Sequence, residues 1–574
     1  MRLDKFISRG NILIGNVILV ALVSFYNANM VLNSYSYDSP KISSIASKQL
    51  NKPLNIIILY PDDWRYDDIG GTAPVVRTPF LNQLAKMGIH FTYNAVTTSI
   101  CWISRATMFT GQYASRHGSI YLFRPWFVKY LWNETWVYQL QKHKEYFVGH
   151  IGKWQFQNTD PSLDDIFNFT SIHEGMHWYK IKSESSETKI SAADRAQNDT
   201  FEFLNKRPKD KPFALTVAFY PPKAVGNVDS PGGQWSPTEE TRHLYDNDTI
   251  PIPKNHHNDS IPYFIKNYRD NIAMERYQMR WRSSKHYQEG MKNYYALITH
   301  VDVVCEQIVN RLIQEQLINQ TMIIFTTDNG LMHGAHGLAG KWYPYQESIR
   351  VPLIIYDPRM PHDKRGTIDQ SLTLNIDLAT TILGAANINP PERMQGRDIS
   401  NLYLPSISSE QKSWRTDFYY EYPIGEGLPR DTSVTALVEK DWKYIYWPET
   451  KYQQLFDLQN DPFEMHDLAT NPTRQIRHRM KKMKKRHDEL KLKVMEPIIP
   501  GSKCDPLQRA GVKVTDLKPN CYPKTIKQKI YHHILLFLIK LIDVKCSAWF
   551  GLRFICHLLF PLINQFLSNE INMN

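Results

Sequence analysis

Short apolar runs that stop abruptly at acidic turns constrain the fold of this chain more than any other feature of its sequence. Asn55 to Leu59 (NIIIL) is followed by Pro61-Asp62-Asp63, and Met322 to Thr326 (MIIFT) by Thr327-Asp328-Asn329-Gly330. Phe213 to Phe219 (FALTVAF) and Leu353 to Tyr356 (LIIY) repeat the brief, continuous hydrophobic stretch. A half-exposed strand would alternate apolar and polar residues, so unbroken runs of this length predict strands buried on both faces, as in a parallel sheet. Helical stretches such as Thr78 to Met87 and Tyr294 to Leu312 lie between them. The expected fold is α/β, a large central, mostly parallel sheet sandwiched by helices. Ligands in such folds collect at the carboxyl ends of the strands.

After Gln395-Gly396-Arg397 the rhythm changes to shorter strands, Phe418 to Glu421 and Lys443 to Tyr446, and a late helix. The expected division is a large domain over residues 53–400, a smaller C-terminal α+β domain over 412–497, and a cysteine-containing linker with an apolar tail over 498–574. A chain of 574 residues can bury one large core with a second unit beside it.

The formal net charge of +11 is concentrated in the run Arg474 to Lys493. Such a run attracts polyanions if it faces solvent, and it equally describes an ordinary charged helix face. No nucleic acid is expected as a partner. Arg2, Lys5 and Arg9 precede the apolar stretch Ile12 to Phe25, which predicts a signal peptide or an uncleaved signal anchor within residues 1–33. Sequons at Asn133, Asn168, Asn198, Asn247, Asn258 and Asn319 agree with the secretory pathway, and so with an extracellular, lysosomal or membrane-associated destination. Cys504 and Cys521 flank a polar segment and are placed to close a loop in an oxidising compartment. The apolar tail from Ile526 to Leu567 is broken by Lys540, Asp543, Lys545 and Arg553. Those charges argue against a membrane span and leave two expectations: contact with a membrane surface, or packing on the protein.

The acidic turns are where chemistry is expected. Asp62, Asp63 and Asp328 with the amide oxygen of Asn329, brought together at one sheet edge, form a hard oxygen site for Ca²⁺ or Mg²⁺. A third element is Cys101-Trp102-Ile103-Ser104-Arg105, continuing Ala106-Thr107-Met108-Phe109-Thr110-Gly111, which reads as a turn entering a helix. A nucleophile at a helix N-terminus gains from exposed N–H groups and the helix dipole, both of which favour negative charge.

This segment resembles the type I sulfatase signature C-x-P-S-R followed by A-x-x-x-T-G, within the alkaline-phosphatase-like superfamily. The resemblance extends from about Leu54 to Arg397. Gly152-Lys153-Trp154 is similar to the family's G-K-W-H segment, Thr327 to Gly330 to its second metal segment, and His336-Gly337 with Lys341 to its H-G and downstream lysine. Arg350-Val351-Pro352 and Leu455-Phe456-Asp457-Leu458 with Asp461-Pro462 and Glu464 continue the order.

The resemblance implies a sulfuric-ester hydrolase acting on a sulfated glycan or another sulfate ester. Cys101 would be converted to formylglycine by the formylglycine-generating enzyme, and its hydrate would attack sulfur and later expel sulfate. Asp62, Asp63, Asp328 and Asn329, with the modified Cys101, would hold Ca²⁺. Arg105 would orient the hydrate, and Lys153 and Lys341 would grip sulfate oxygens.

Three residues depart from the pattern. Ile103 replaces the motif proline, Gln155 replaces the histidine of G-K-W-H, and Lys223 follows Pro222 where many members have P-H. Gln155 and Lys223 become candidate substrate contacts. The general-acid role passes first to His336, with His333 and His117 behind it, and loss of two imidazoles would slow leaving-group protonation by about 10²- to 10⁴-fold if nothing replaced them. Two further readings follow from the departures and from the shared scaffold: an impaired sulfatase-fold protein that binds sulfated glycans, and a phosphoester hydrolase of the same superfamily.

Overall fold

The computed structural model describes residues 53–69, 75–119, 129–156, 162–182, 187–225, 234–256, 260–266, 271–405, 413–423 and 433–495. The N-terminal apolar segment, the sequon at Asn258, the Cys504–Cys521 pair and the apolar tail lie outside the described residues.

Eight strands form the central sheet. They are β1 (Asn55–Leu59), β2 (Ile89–Phe91), β3 (Phe147–Gly152), β4 (Phe169–Ile172), β5 (Phe213–Ala218), β6 (Thr321–Thr326), β7 (Leu353–Tyr356) and β8 (Thr367–Asp369). Across the sheet they stand in the order β8-β2-β7-β6-β1-β5-β3-β4. β1 pairs in parallel with both β5 and β6, β3 with both β5 and β4, and β8 with β2. Of the eight, β7 alone runs against its neighbours.

Every residue of β1, β5, β6 and β7 is buried, which is why their sequences are unbroken apolar runs. Along β1 the side chains alternate between two cores. Ile56 and Ile58 pack into one and Ile57 and Leu59 into the other, so both faces of the sheet are covered. β3 is a central strand that its sequence, FVGHIG, conceals, because two glycines and a histidine dilute the apolar signal.

Five helices matter for the site or its support: α1 (Pro79–Met87), α2 (Cys101–Thr110), α3 (Ile272–Arg280), α4 (Ser284–Gln314) and α5 (Arg474–Val494). α1 starts on a proline, whose missing N–H costs nothing in the first turn. Its next two N–H groups, of Phe80 and Leu81, donate to Asp302 of α4 at 3.0 and 2.8 Å. α4 begins ten residues before the apolar pattern that predicts it. Ser283 caps it by accepting from His286 N, and Tyr287, Gly290 and Met291 extend its buried face among polar neighbours.

The C-terminal region is a four-stranded antiparallel sheet of β9 (Asp417–Tyr422), β10 (Val434–Glu439), β11 (Trp442–Trp447) and β12 (Tyr452–Asp457), paired in chain order. α5 packs on it through Met483, His487 and Val494 and turns Lys481, Lys482, Lys484 and Lys485 to solvent, so the basic run is an exposed helix face. This sheet touches the loops around Cys101. Tyr420 Oη donates to Trp342 O at 2.6 Å and Glu421 N to Thr97 O at 3.0 Å. Among the described residues no helix is long and apolar enough to cross a membrane.

Candidate active site

β6, β1, β5 and β3 are neighbours in that order and parallel, so their carboxyl ends open on one edge of the sheet. The residues just beyond those ends are Asp328 and Asn329 after β6, Asp62 and Asp63 after β1, Lys223 after β5 and Lys153 after β3. α2 starts at the same edge with Cys101 as its first residue, and the loop beyond β6 returns Lys341. Oxygen atoms of Asp62, Asp63 and Asp328 and the sulfur of Cys101 all lie within 4.8 Å of one another, and all four residues are buried.

The thiol sulfur is 3.5 Å from Asp62 Oδ1, 3.9 Å from Asp63 Oδ1, 2.6 Å from Lys341 Nζ and 3.3 Å from Lys223 Nζ. Lys153 is ion-paired with Asp62, and Lys341 with Asp63. Lys223 Nζ donates to Asp62 Oδ1 at 3.2 Å and to Asp63 Oδ2 at 3.1 Å. Arg105, one turn into α2, bridges two strand ends, donating to Asp328 Oδ2 at 3.0 Å and to Asp62 Oδ2 at 3.2 Å. Its third bond, to Lys153 O at 3.0 Å, fixes the chain at the end of β3.

Three carboxylates thus face four cations. Burial pushes the Asp62 carboxyl upward, but Lys153, Lys223, Lys341 and Arg105 outweigh it and hold the group well below the ordinary carboxylate range. Asp63 is lowered by the same contest, whereas burial and the neighbouring Asp62 leave Asp328 raised. Burial opposes the charge on Lys223, yet Asp62 and Asp63 raise its pKa well above the usual lysine value. Lys223 therefore stays an ammonium at neutral pH. Its side chain is 23% exposed against 5% or less for Arg105, Lys153 and Lys341, so it lies nearest the mouth of the pocket.

The donor set suits a hard divalent cation, since its converging atoms are carboxylate oxygens. Asn329 stands beside them with its Nδ2 donating to Asp63 Oδ1 at 2.6 Å and its Oδ1 accepting from Lys341 at 3.0 Å. A half-turn of that amide would present its oxygen to the carboxylates. The backbone is contorted to bring these groups together. Asp63 has φ 62° and Trp342, after Lys341, φ 85°, both in the left-handed region that costs a side chain energy and that collects at functional sites. Gly152, before Lys153, has φ 90°, and a Cβ there would stand 2.1 Å from Ala218 O.

The other expected residues are placed elsewhere. Gln155, with φ 69°, makes no hydrogen bond to the thiol or the carboxylates, and its Oε1 is buried without a partner. His336 stands in a second cluster with Glu347 and Glu464, its Nε2 3.0 Å from Asn255 Nδ2 and its ring stacked on Tyr345 at 4.3 Å. Burial depresses it to about 4. His117 lies 3.1 Å from Thr107 Oγ1 and accepts from Ser119 N, and burial depresses it to about 3, so it braces α2 as a neutral ring.

Residues outside the motifs position the site. His150 of β3 has Nε2 3.1 Å from Lys153 O. His177 accepts from Ser236 N through Nδ1, so its Nε2 carries the proton and donates to Lys223 O at 2.8 Å. Tyr294 Oη of α4 donates to Asp63 O at 3.1 Å. His150 and Tyr294 are polar groups in segments that otherwise read as core, and His177 sits in a polar stretch that gives no signal.

A family model described as sulfatase matches residues 54–388, and one described as N-sulphoglucosamine sulphohydrolase, C-terminal, matches residues 334–493. An N-acetylglucosamine-6-O-sulfatase of Bacteroides thetaiotaomicron is 24% identical over 489 residues, covering 73% of this chain and 83% of that protein. A protein solved in complex with its substrate D-glucosamine-2-N,6-O-disulfate superposes with a TM-score of 0.63 at 20% identity, covering 77% of this chain and 98% of its own. A phosphonate monoester hydrolase of Agrobacterium radiobacter superposes with a TM-score of 0.59 at 17% identity, covering 77% and 96%.

Proposed function

This chain belongs to the sulfatase family, and on that premise we propose that it hydrolyses sulfate esters of a sulfated carbohydrate with a nucleophile made from Cys101 and a bound Ca²⁺, or Mg²⁺ in its place. The observation that carries this reading is the setting of the thiol: first residue of α2, in contact with Lys341 and Lys223, and beside the Asp62 carboxylate. Formylglycine at Cys101 would supply a hydrate oxygen as nucleophile, and Ca²⁺ held by Asp62, Asp63, Asp328 and Asn329 would supply charge to polarise the sulfate.

The chain's own residues do the rest. Lys341 and Lys223 bracket the position of the attacking atom and meet the negative charge of an arriving sulfate group. Arg105 and Lys153 hold Asp62 ionised and fixed, and Arg105 fixes Asp328 in place. The excess of one cation over the three carboxylates makes the pocket attractive to an anion before any metal is counted. Lys223, nearest the mouth of the pocket, is placed to stabilise negative charge on the sulfate group and the departing oxygen. The basic and apolar N-terminus supports delivery to the secretory pathway, where Cys101 would be oxidised.

The test is peptide mass spectrometry across Cys101 on protein exported through the secretory pathway, joined to sulfate release from a disulfated glucosamine and from an aryl sulfate. Expected are an aldehyde or its hydrate at position 101 and free sulfate. An unmodified thiol throughout, with no sulfate released, would sink the reading. Ile103, Gln155 and Lys223 favour the glycan-binding reading in that event, and salt-sensitive retention on heparin would mark it. Faster turnover of a matched aryl phosphate or phosphonate would point instead to phosphoester chemistry on the same fold.

A further inference from the structure

Between the loop that carries Lys223 and the loop that carries Lys341 lies a buried nest of hydrogen-bond donors with too few acceptors. Arg280, the last residue of α3, is 7% exposed, and among the described residues its guanidinium forms no ion pair with a carboxylate. Its Nε donates to Gln234 Oε1 at 2.8 Å, and its guanidinium carbon is 5.6 Å from the centroid of the Trp235 ring. Gln234 is fully buried, and its Nε2 has no hydrogen-bond partner. Trp281 Nε1 is likewise buried without a hydrogen bond, and so is His333 Nε2, which lies 3.9 Å from Asp68 Oδ2. Trp281 stacks on Trp235 at 5.3 Å and lies 6.2 Å from the His333 ring.

The nest is tied to the reacting centre on both sides. Trp235 Nε1 donates to Pro222 O at 3.1 Å, next to Lys223, and Val225 N to Gln234 O at 2.9 Å. Ala339 N donates to Ala273 O at 3.1 Å, joining α3 to the loop of Lys341. Tyr294, bonded to Asp63 O, lies edge-on to His333 at 4.3 Å.

A buried guanidinium without a counter-ion is unfavourable, and unpaired donors around it add to the cost. Burial and then the nearby Arg276 press its pKa down to about 9, opposed weakly by Asp63 and Tyr220. A ligand that brings acceptor oxygens and negative charge would relieve all of these groups together.

We propose that this nest is a second anion subsite, in which Arg280 and Gln234 receive a carboxylate or a second sulfate on the sugar whose sulfate ester occupies the Cys101 pocket. On the sulfatase reading, on which it rests, the substrate class narrows to sulfated sugars with two anionic groups.

The test compares the full chain with Arg280→Met, which keeps an apolar stem, and Arg280→Lys, which keeps a charge without the fork. Substrates are an aryl sulfate, a disulfated glucosamine and a sulfated uronic acid. Arg280→Met is expected to raise KM for at least one sugar by about 10²-fold, with Arg280→Lys intermediate, while kcat/KM on the aryl sulfate stays within about threefold. Which sugar is affected tells a sulfate-binding nest from a carboxylate-binding one. Removal of an unpaired buried charge should also leave the melting temperature of the unliganded variant unchanged or raise it. Parallel loss on all three substrates with a lower melting temperature, or no loss on either sugar, overturns the subsite. If the wild-type chain releases no sulfate from anything, the sulfatase reading fails separately. Calorimetric binding of the two sugars then decides, with equal affinities in wild type and Arg280→Met overturning the subsite and selective loss in the variant upholding it.

Discussion

Among the described residues two buried clusters bring carboxylates together with other polar groups, and their contrast separates the proposed reaction centre from a joint between sheets. In the first, Asp62, Asp63 and Asp328 meet Lys153, Lys223, Lys341 and Arg105 around a cysteine at the tips of four parallel strands. In the second, Glu464 pairs with Lys443, and Glu347, Asn255 and His336 stand beside them. Lys443 Nζ is 2.5 Å from Glu464 Oε1, and Gln346 N donates to Glu464 Oε2 at 2.7 Å, so this cluster joins the loops of the central sheet to the C-terminal sheet. The charge balance differs in sign. Cations outweigh burial in the first and hold Asp62 ionised, whereas in the second burial outweighs Lys443 and raises Glu464 to about 7. Burying acids is therefore not a mark of catalysis. A surplus of cations around a buried cysteine points further, because it prepares the site for an incoming anion.

The contrast can be broken most sharply at Cys101. Cys101→Ala should lower sulfate release by about 10⁴-fold or more, while Glu464→Gln should leave it within about threefold. Activity surviving the first substitution, or vanishing with the second in folded protein, would erase the distinction. Next in size, chelation should lower kcat/KM by about 10³-fold and added Ca²⁺ should restore it. Asp63→Asn should lose activity that Ca²⁺ does not restore, and elemental analysis of the wild type should find the metal lost by Asp63→Asn but kept by Glu347→Gln.

Lys341→Met should cost about 10²- to 10³-fold in kcat, as expected for one charge-stabilising donor, measured by steady-state kinetics with an aryl sulfate. Lys443→Met should instead act on stability, by about 3 kcal/mol in denaturant unfolding, because it leaves Glu464 buried without its partner. Its kcat should stay near the wild-type value.

The smallest effect is a pH dependence of stability. Glu464 has a folded-state pKa raised from 4.5 to about 7, so between those values the native state holds a proton that the unfolded state has lost. Its contribution should therefore be full below about pH 4.5 and decline as pH rises toward 7, and Glu464→Gln should flatten that part of the melting-temperature profile. An unchanged slope in the variant would show that other groups set it.

Much of the central fold is legible locally. β1, β5, β6 and β7 are buried on both faces, and unbroken hydrophobicity is the direct sign of that burial. α2 starts at Cys101, where the motif predicts a turn entering a helix. β3 is not legible, because its glycines serve close packing and its histidine serves Lys153, and neither advertises a strand. His336 shows the limit for the site. Its place in an H-G pair suggests chemistry, yet its Nε2 lies against Asn255, 81 residues away, and its ring stacks on Tyr345 beside Glu347, surroundings that the pair itself does not announce. Arg280 shows the reverse: an ordinary residue in the sequence acquires meaning from having no carboxylate partner among the described residues.

By itself, then, the chain's order of residues determined which segments become core strands, that acids end two of them and that a cysteine opens a helix, since burial and capping depend on near neighbours. Tertiary structure brings Lys223 and Lys341, 122 and 240 residues away and expected at the site only through resemblance, onto that cysteine, and it alone decided that the H-G histidine joins the Glu347–Glu464 cluster and that Arg280 has no counter-ion among the described residues. Those outcomes depend on the order in which strands pair across the sheet, and the local pattern of hydrophobicity does not encode that order.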